Sequence, residues 1–144
     1  MQFRRSMIAV KFEMNLNHLE LFTWACSDAV FSFVKLLKEL DEMVMKMVFE
    51  GLGMSKYLHS HLESRDQFFQ LAHYRAPKTQ ESTLGLKVHT DLTLISIVCQ
   101  HEQEGLQILT KDGSWITPSR NLLVFLVGDA LSVCSLSYVP STTL

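Results

Sequence analysis

Apolar residues fall at Leu36, Leu37, Leu40, Met43, Val44, Met47 and Val48, the three-four spacing of one helix face. Lys38, Glu39, Asp41, Glu42 and Lys46 fill the other side. The pattern predicts an amphipathic helix that stops at Gly51, placed to serve as a left-handed terminator. Gly53 would link it to a shorter helix over residues 55–62. The first thirty-odd residues carry no clean period, although residues 15–24 are compatible with a helix.

After Ser64 the texture changes. Residues 68–74, 86–89, 94–99, 106–110, 114–117 and 122–127 are short runs rich in β-branched and aromatic side chains, separated by polar or Gly-containing breaks. That rhythm predicts antiparallel strands of a meander, sandwich or barrel. Lys111-Asp112-Gly113 is the clearest hairpin turn, because Gly accepts the positive φ that such turns need. The expected organisation is a divergent segment over 1–34, a helical part with a first core strand over 35–84, and a β-rich core over 85–144.

The 144 residues are enough for one domain of ordinary size, and 47% hydrophobic against 19% charged residues excludes wholesale disorder. A net charge of −2 offers no cationic excess for a phosphate backbone, so nucleic acid is not an expected partner. No stretch has the ~18 uninterrupted apolar residues of a membrane span. Lys11 and Glu13 interrupt the apolar run after Arg4 and Arg5, which excludes a signal-peptide core. Cys26, Cys99 and Cys134 are too few and too scattered for a disulfide framework or zinc knuckles. A cytoplasmic location is the expectation.

Candidate chemistry concentrates in Val88-His89-Thr90-Asp91. On an extended strand, residues two apart point to one face, so the His89 imidazole and the Asp91 carboxylate can meet one metal ion. Taken alone, so short a motif is more often a structural or incidental pair. Its surroundings are more specific. In order come Leu84-Gly85-Leu86-Lys87-Val88-His89-Thr90-Asp91, the run 94–100, Glu104-Gly105-Leu106-Gln107-Ile108, Lys111-Asp112-Gly113-Ser114-Trp115-Ile116 and Val127-Gly128-Asp129-Ala130-Leu131. These blocks resemble the plant 2-oxoglutarate and Fe(II)-dependent dioxygenases, the isopenicillin N synthase-like family, and most nearly the clade that modifies glucosinolate side chains. The resemblance extends from about residue 36 to 131.

The resemblance implies an α+β, mainly β chain: N-terminal helices followed by an incomplete double-stranded β-helix, or jelly roll. It implies Fe(II) as metal and 2-oxoglutarate as cosubstrate, leaves room for ascorbate as an optional addition, and gives a small plant metabolite of secondary metabolism as substrate. His89 and Asp91 correspond to the first two iron ligands. Tyr74 corresponds to a tyrosine that bonds the 2-oxoglutarate carboxylate, although Ala72-His73-Tyr74 departs from the usual Asn-x-Tyr. The third ligand of the family is a distal His about fifteen residues after the pair matching Gly128-Asp129, followed by an Arg-x-Ser clamp for 2-oxoglutarate. Here residues 132–144 hold neither. The resemblance therefore implies a C-terminally truncated core with an aberrant tail from about residue 132. The alternative function is a catalytically inactive fragment or interaction module, self-associating through open sheet edges.

The other histidines have simpler expected roles. His59 and Glu63 would share a helix face in solvent, His73 belongs to the strand of Tyr74, and His101 lies in a polar turn with Glu102 and Glu104. The methionines of the first helix are read as packing and surface residues.

Overall fold

The computed structural model describes residues 7–14, 28–74 and 84–144. In chain order these form β1 (Met7–Met14), α1 (Asp28–Gly51), a 3-10 turn (Ser55–Tyr57), α2 (Leu58–Ser64), β2 (Gln67–Tyr74), β3 (Ile95–His101), β4 (Ile108–Leu109), β5 (Trp115–Ile116), β6 (Leu123–Val127) and α3 (Asp129–Cys134). The expected helix over residues 15–24 and Cys26 lie outside the described residues. Two units emerge: Met14–Phe69, and Met1–Glu13 together with Gln70–Leu144. No helix among the described residues is long and apolar enough to cross a membrane.

In the helical unit, α1 runs for 24 residues, eight residues further toward the N-terminus than the periodicity indicated. The first-turn Asp28 suits the positive end of the helix dipole, and Lys38–Glu42 and Lys46–Glu50 form i,i+4 pairs at 4.0 and 3.9 Å. The terminator is Gly53, at φ +69°, and not Gly51, which remains helical. Gly53 N–H donates to the Glu50 carbonyl and Met54 N–H to the Phe49 carbonyl, the paired bonds of a Schellman turn.

The buried stripe of α1 is Leu37, Asp41, Met45 and Phe49, whereas Leu36, Met43 and Met47 are exposed. The helix is thus rotated relative to the face expected from hydrophobicity alone. The reason is Arg65, just after α2: its guanidinium meets the Asp41 carboxylate at 2.8 Å, and both side chains are buried. A buried carboxylate with a buried guanidinium partner can occupy the middle of an apolar stripe, which apolarity cannot report. Burial raises the Asp41 pKa, and Arg65 pulls it back. Beside this pair the His61 ring stacks on Phe49 with centroids 5.2 Å apart.

In the other unit, the sheet order is β2-β1-β3-β6, with β3 antiparallel to both β1 and β6. Being central, β3 buries Ile95, Ser96, Ile97, Val98 and Gln100. One face of the sheet packs Val98, Leu106 and Leu126 together, with Ile108, Val124 and Leu144 against them. Each fully buried aliphatic chain of this kind contributes roughly 1.5–3 kcal/mol.

The hairpin β4–β5 turns where the sequence indicated, with Gly113 at φ +85°. The Asp112 carboxylate gathers Thr110 Oγ1, Ser114 N–H and Ser114 Oγ, and these bonds, Thr110 first, hold its carboxyl below the usual range.

Residues 86–89 are not a strand. The backbone there is irregular and makes its bonds elsewhere: His89 N–H donates to the Leu144 carbonyl at 3.2 Å, and the His89 carbonyl accepts Leu144 N–H at 2.9 Å. The segment after α3 is ordered against the sheet. Thr142 N–H donates to the Val127 carbonyl at 2.7 Å, and Leu109 N–H donates to the Thr143 carbonyl at 2.9 Å. Thr143 forms isolated bridges to both Thr90 and Leu109, so this segment supplies backbone partners that residues 86–90 and β4 would otherwise lack.

Candidate metal centre

His89 and Asp91 flank Thr90 in the irregular turn between β2 and β3. His89 Nε2 lies 3.5 Å from Asp91 Oδ1, so the two side chains face each other although no regular strand carries them. The Asp91 side chain is buried and that of His89 about one-third exposed. His89 Nδ1 lies 2.9 Å from the Lys87 carbonyl. A carbonyl can only accept, so Nδ1 carries a proton, and Nε2 is the ring nitrogen turned toward the Asp91 carboxylate. A ring nitrogen and a carboxylate oxygen thus converge on one small space. One imidazole nitrogen and one carboxylate oxygen fit ferrous iron as two of the three protein donors of a facial triad. Among the described residues no third His, Cys, Asp or Glu completes such a group.

Several backbone contacts fix this turn. Asp129 N–H donates to the Asp91 carbonyl at 2.7 Å, and Gly128 N–H donates to the Leu94 carbonyl at 3.0 Å. Thr90 Oγ1 donates to Asp129 Oδ2 at 2.8 Å. Hydrogen bonds from Ser141 first and Thr90 second hold the Asp129 carboxyl below its usual range. The resemblance singled out Gly128-Asp129 as a block, but their contact with the His-x-Asp turn is not visible in sequence.

Tyr74 closes β2 and lines a small open cleft of about 60 Å³ together with Ala72, His89, Val98, Leu106 and Leu144. The cleft therefore brings Tyr74 and His89 to one concavity with mainly apolar walls. His73 is exposed, as strand alternation between Ala72 and Tyr74 requires. His59 pairs with Glu63 at 3.3 Å and His101 with Glu102 at 3.7 Å, both exposed, and neither lines the cleft.

Gln100 escaped the sequence reading. It is fully buried in β3, where its Oε1 accepts Gly105 N–H and Leu106 N–H at 2.8 Å each and its Nε2 donates to the Pro118 carbonyl at 2.6 Å. This amide pins the loop that delivers Leu106 to the cleft wall. A glutamine near the end of a strand followed by a Gly-containing loop carries no signal for such a role.

A family model described as the 2OG-Fe(II) oxygenase superfamily matches residues 65–143. A probable 2-oxoglutarate-dependent dioxygenase, AOP1, of Arabidopsis thaliana is 38% identical over 111 residues, covering 73% of this chain and 37% of that protein. Gibberellin 2-beta-dioxygenase 2 of the same plant is 35% identical over 117 residues, covering 74% of this chain and 34% of that protein. A 1-aminocyclopropane-1-carboxylate oxidase homolog of Solanum lycopersicum is 29% identical over 120 residues, 81% of this chain and 33% of that protein. The chain spans about a third of the length of these relatives. The matched region holds His89, Asp91, Tyr74 and the Gly128-Asp129 pair, and the chain belongs to the 2OG-Fe(II) oxygenase superfamily.

Proposed function

We propose that this chain forms part of an Fe(II)/2-oxoglutarate-dependent dioxygenase acting on a small molecule, and that it supplies two of the three protein ligands to the metal, His89 Nε2 and an Asp91 carboxylate oxygen. The observation that carries this reading is the 3.5 Å convergence of those atoms, with the imidazole tautomer set by the Lys87 carbonyl. Bound iron with 2-oxoglutarate would supply the activation of dioxygen, with ascorbate as reductant for the metal. The chain's own residues orient and shield. Tyr74 offers a hydroxyl at the cleft for a carboxylate, while Val98, Leu106 and Leu144 limit water at its wall. The surrounding architecture is an incomplete double-stranded β-helix, of which the β2-β1-β3-β6 sheet is one wall.

The second reading is a catalytically inactive fragment or an interaction module that pairs its sheet edge with another chain. It is favoured by the donor count: residues 121–144 contain no His, Arg or Lys to act as third ligand or as carboxylate clamp.

Anaerobic titration of the chain with Fe(II) and 2-oxoglutarate separates the two. The first reading expects the visible charge-transfer absorption of a metal-chelated keto acid, lost in His89→Ala and in Asp91→Ala. A flat titration overturns it for this chain and leaves the second reading, for which sedimentation must then show self-association.

A further inference from the structure

The His89–Asp91 pair sits on irregular backbone, yet two donors can share one ion only if the turn between them is held still. Strand geometry does not hold it, because residues 86–89 are outside any ladder. The restraint comes from the start of α3. There the Asp129 backbone N–H reaches the Asp91 carbonyl at 2.7 Å, and the Asp129 carboxylate takes the Thr90 hydroxyl at 2.8 Å. The same carboxylate also accepts a bond from Ser141. Ser141 leads directly into Thr142, Thr143 and Leu144, and Leu144 exchanges both backbone bonds with His89. Each ligand is therefore braced from residue 129: Asp91 directly, and His89 through Thr90 on one side and through the 141–144 segment on the other.

We propose that Asp129 is a positioning residue for the metal-binding pair, its carboxylate clasping Thr90 and Ser141 so that His89 and Asp91 stay convergent. This rests on the reading of His89 and Asp91 as metal ligands, and it adds a residue that never touches the ion. Gly128 belongs to the same device. Its Cα faces the Thr93 carbonyl with no room for a Cβ, which lets the start of α3 come close enough for Asp129 to reach the turn.

Two measurements on the full chain test the inference. The first is Co(II) binding, followed by its visible d–d spectrum, in wild type, Asp129→Ala, Asp129→Asn, Thr90→Ser and Thr90→Val. Loss of an outer partner of a metal ligand costs roughly 10–100-fold in affinity. Asp129→Ala and Thr90→Val should weaken Co(II) binding by that factor with an altered spectrum, while Thr90→Ser, which keeps the hydroxyl, should bind like wild type. The second is amide hydrogen exchange without metal. In Asp129→Ala and Thr90→Val the His89 and Leu144 amides should exchange at least about tenfold faster, with the β3–β6 ladder unchanged as internal control.

Unchanged exchange at His89 and Leu144 in both variants overturns the proposal whatever the metal does, and so does a Thr90→Ser chain that behaves like Thr90→Val. If Asp129→Ala does not fold, the Thr90 pair decides alone. A wild-type chain that ignores Co(II) removes the metal reading, while the exchange experiment still decides whether Asp129 braces the turn.

Discussion

The Thr93 carbonyl oxygen fills the space beside Gly128 where any other residue would place its Cβ, and that Cβ would also lie 2.9 Å from the Asp91 carbonyl oxygen. Gly128 has φ −92° and ψ 172°, ordinary extended backbone, so its requirement is for room and not for conformational freedom. Gly128→Ala must push the start of α3 away from the His89–Asp91 turn. It is expected to cost about 3 kcal/mol or more, as an overpacked backbone contact that no side-chain rotation relieves. Denaturant unfolding checks this: a midpoint within error of wild type would mean that the close approach does not exist in solution.

Gln100 makes a second prediction because all of its side-chain bonds are internal. Gln100→Met keeps the length and removes the amide, leaving Gly105 N–H, Leu106 N–H and the Pro118 carbonyl without their partner. At about 1–3 kcal/mol for each buried group left unsatisfied, softened by relaxation of the loop, a loss of about 3 kcal/mol is expected. Gln100→Glu should be nearly as damaging: it keeps the acceptor for two N–H groups but places an anion against the Pro118 carbonyl. Stability curves of the two variants, together with exchange at Leu106, provide the check.

What the sequence disclosed depended on how local the cause was. The Asp112-Gly113 turn was legible because the Gly at φ +85° and the carboxylate that gathers its neighbours lie within five residues. The existence of α1 was legible from its period, but its orientation was not, since Arg65 is far away in sequence and gives Asp41 a buried place. The strand β1 was legible, although the sequence reading found no period there: Ile8, Val10, Phe12 and Met14 alternate with Ala9, Lys11 and Glu13 at period two. At the site, the approach of His89 to Asp91 was legible from the spacing of the His-x-Asp block. Its support was not, because the brace spans 39 residues from Thr90 to Asp129.

The α1 rotation can be tested by pairing two methionines two positions apart. Met45 is buried at 1% exposure and Met43 is exposed at 57%. Met45→Ala should cost roughly 2–5 kcal/mol, as expected for a truncated core methionine. Met43→Lys should change stability by less than about 0.5 kcal/mol. The expectation from hydrophobicity alone, with Met43 facing inward, predicts the reverse order, so two unfolding curves decide between them.

The Asp41–Arg65 pair predicts a non-additive pattern. Asp41→Asn leaves a buried guanidinium without its counter-charge and should cost about 3–5 kcal/mol, whereas Asp41→Leu with Arg65→Met removes both charges and should recover most of that loss. A double-mutant cycle on chemical denaturation measures it. Simple additivity would show that the two side chains do not interact across their 2.8 Å contact.

His61 supplies the pH prediction. Burial, and secondarily the nearby Arg65 charge, lower its pKa from the ordinary 6.5. The folded state therefore prefers the neutral ring that stacks on Phe49, and the unfolded chain binds the proton more readily. Stability from this group is present above pH 6.5 and is lost as the pH falls from there through the lowered folded pKa. His61→Phe keeps the stack and removes the titration, so its unfolding free energy should be flatter than wild type across that acidic window and similar at pH 8. The Asp129 and Asp112 carboxyls, held low, withdraw their contributions only at more acidic pH, whereas Asp41, raised by burial, titrates above its ordinary 3.8; it is common to both proteins, so the difference between wild type and His61→Phe isolates the ring. Parallel slopes for wild type and His61→Phe below pH 6.5 would place the ring in solvent and not against Phe49.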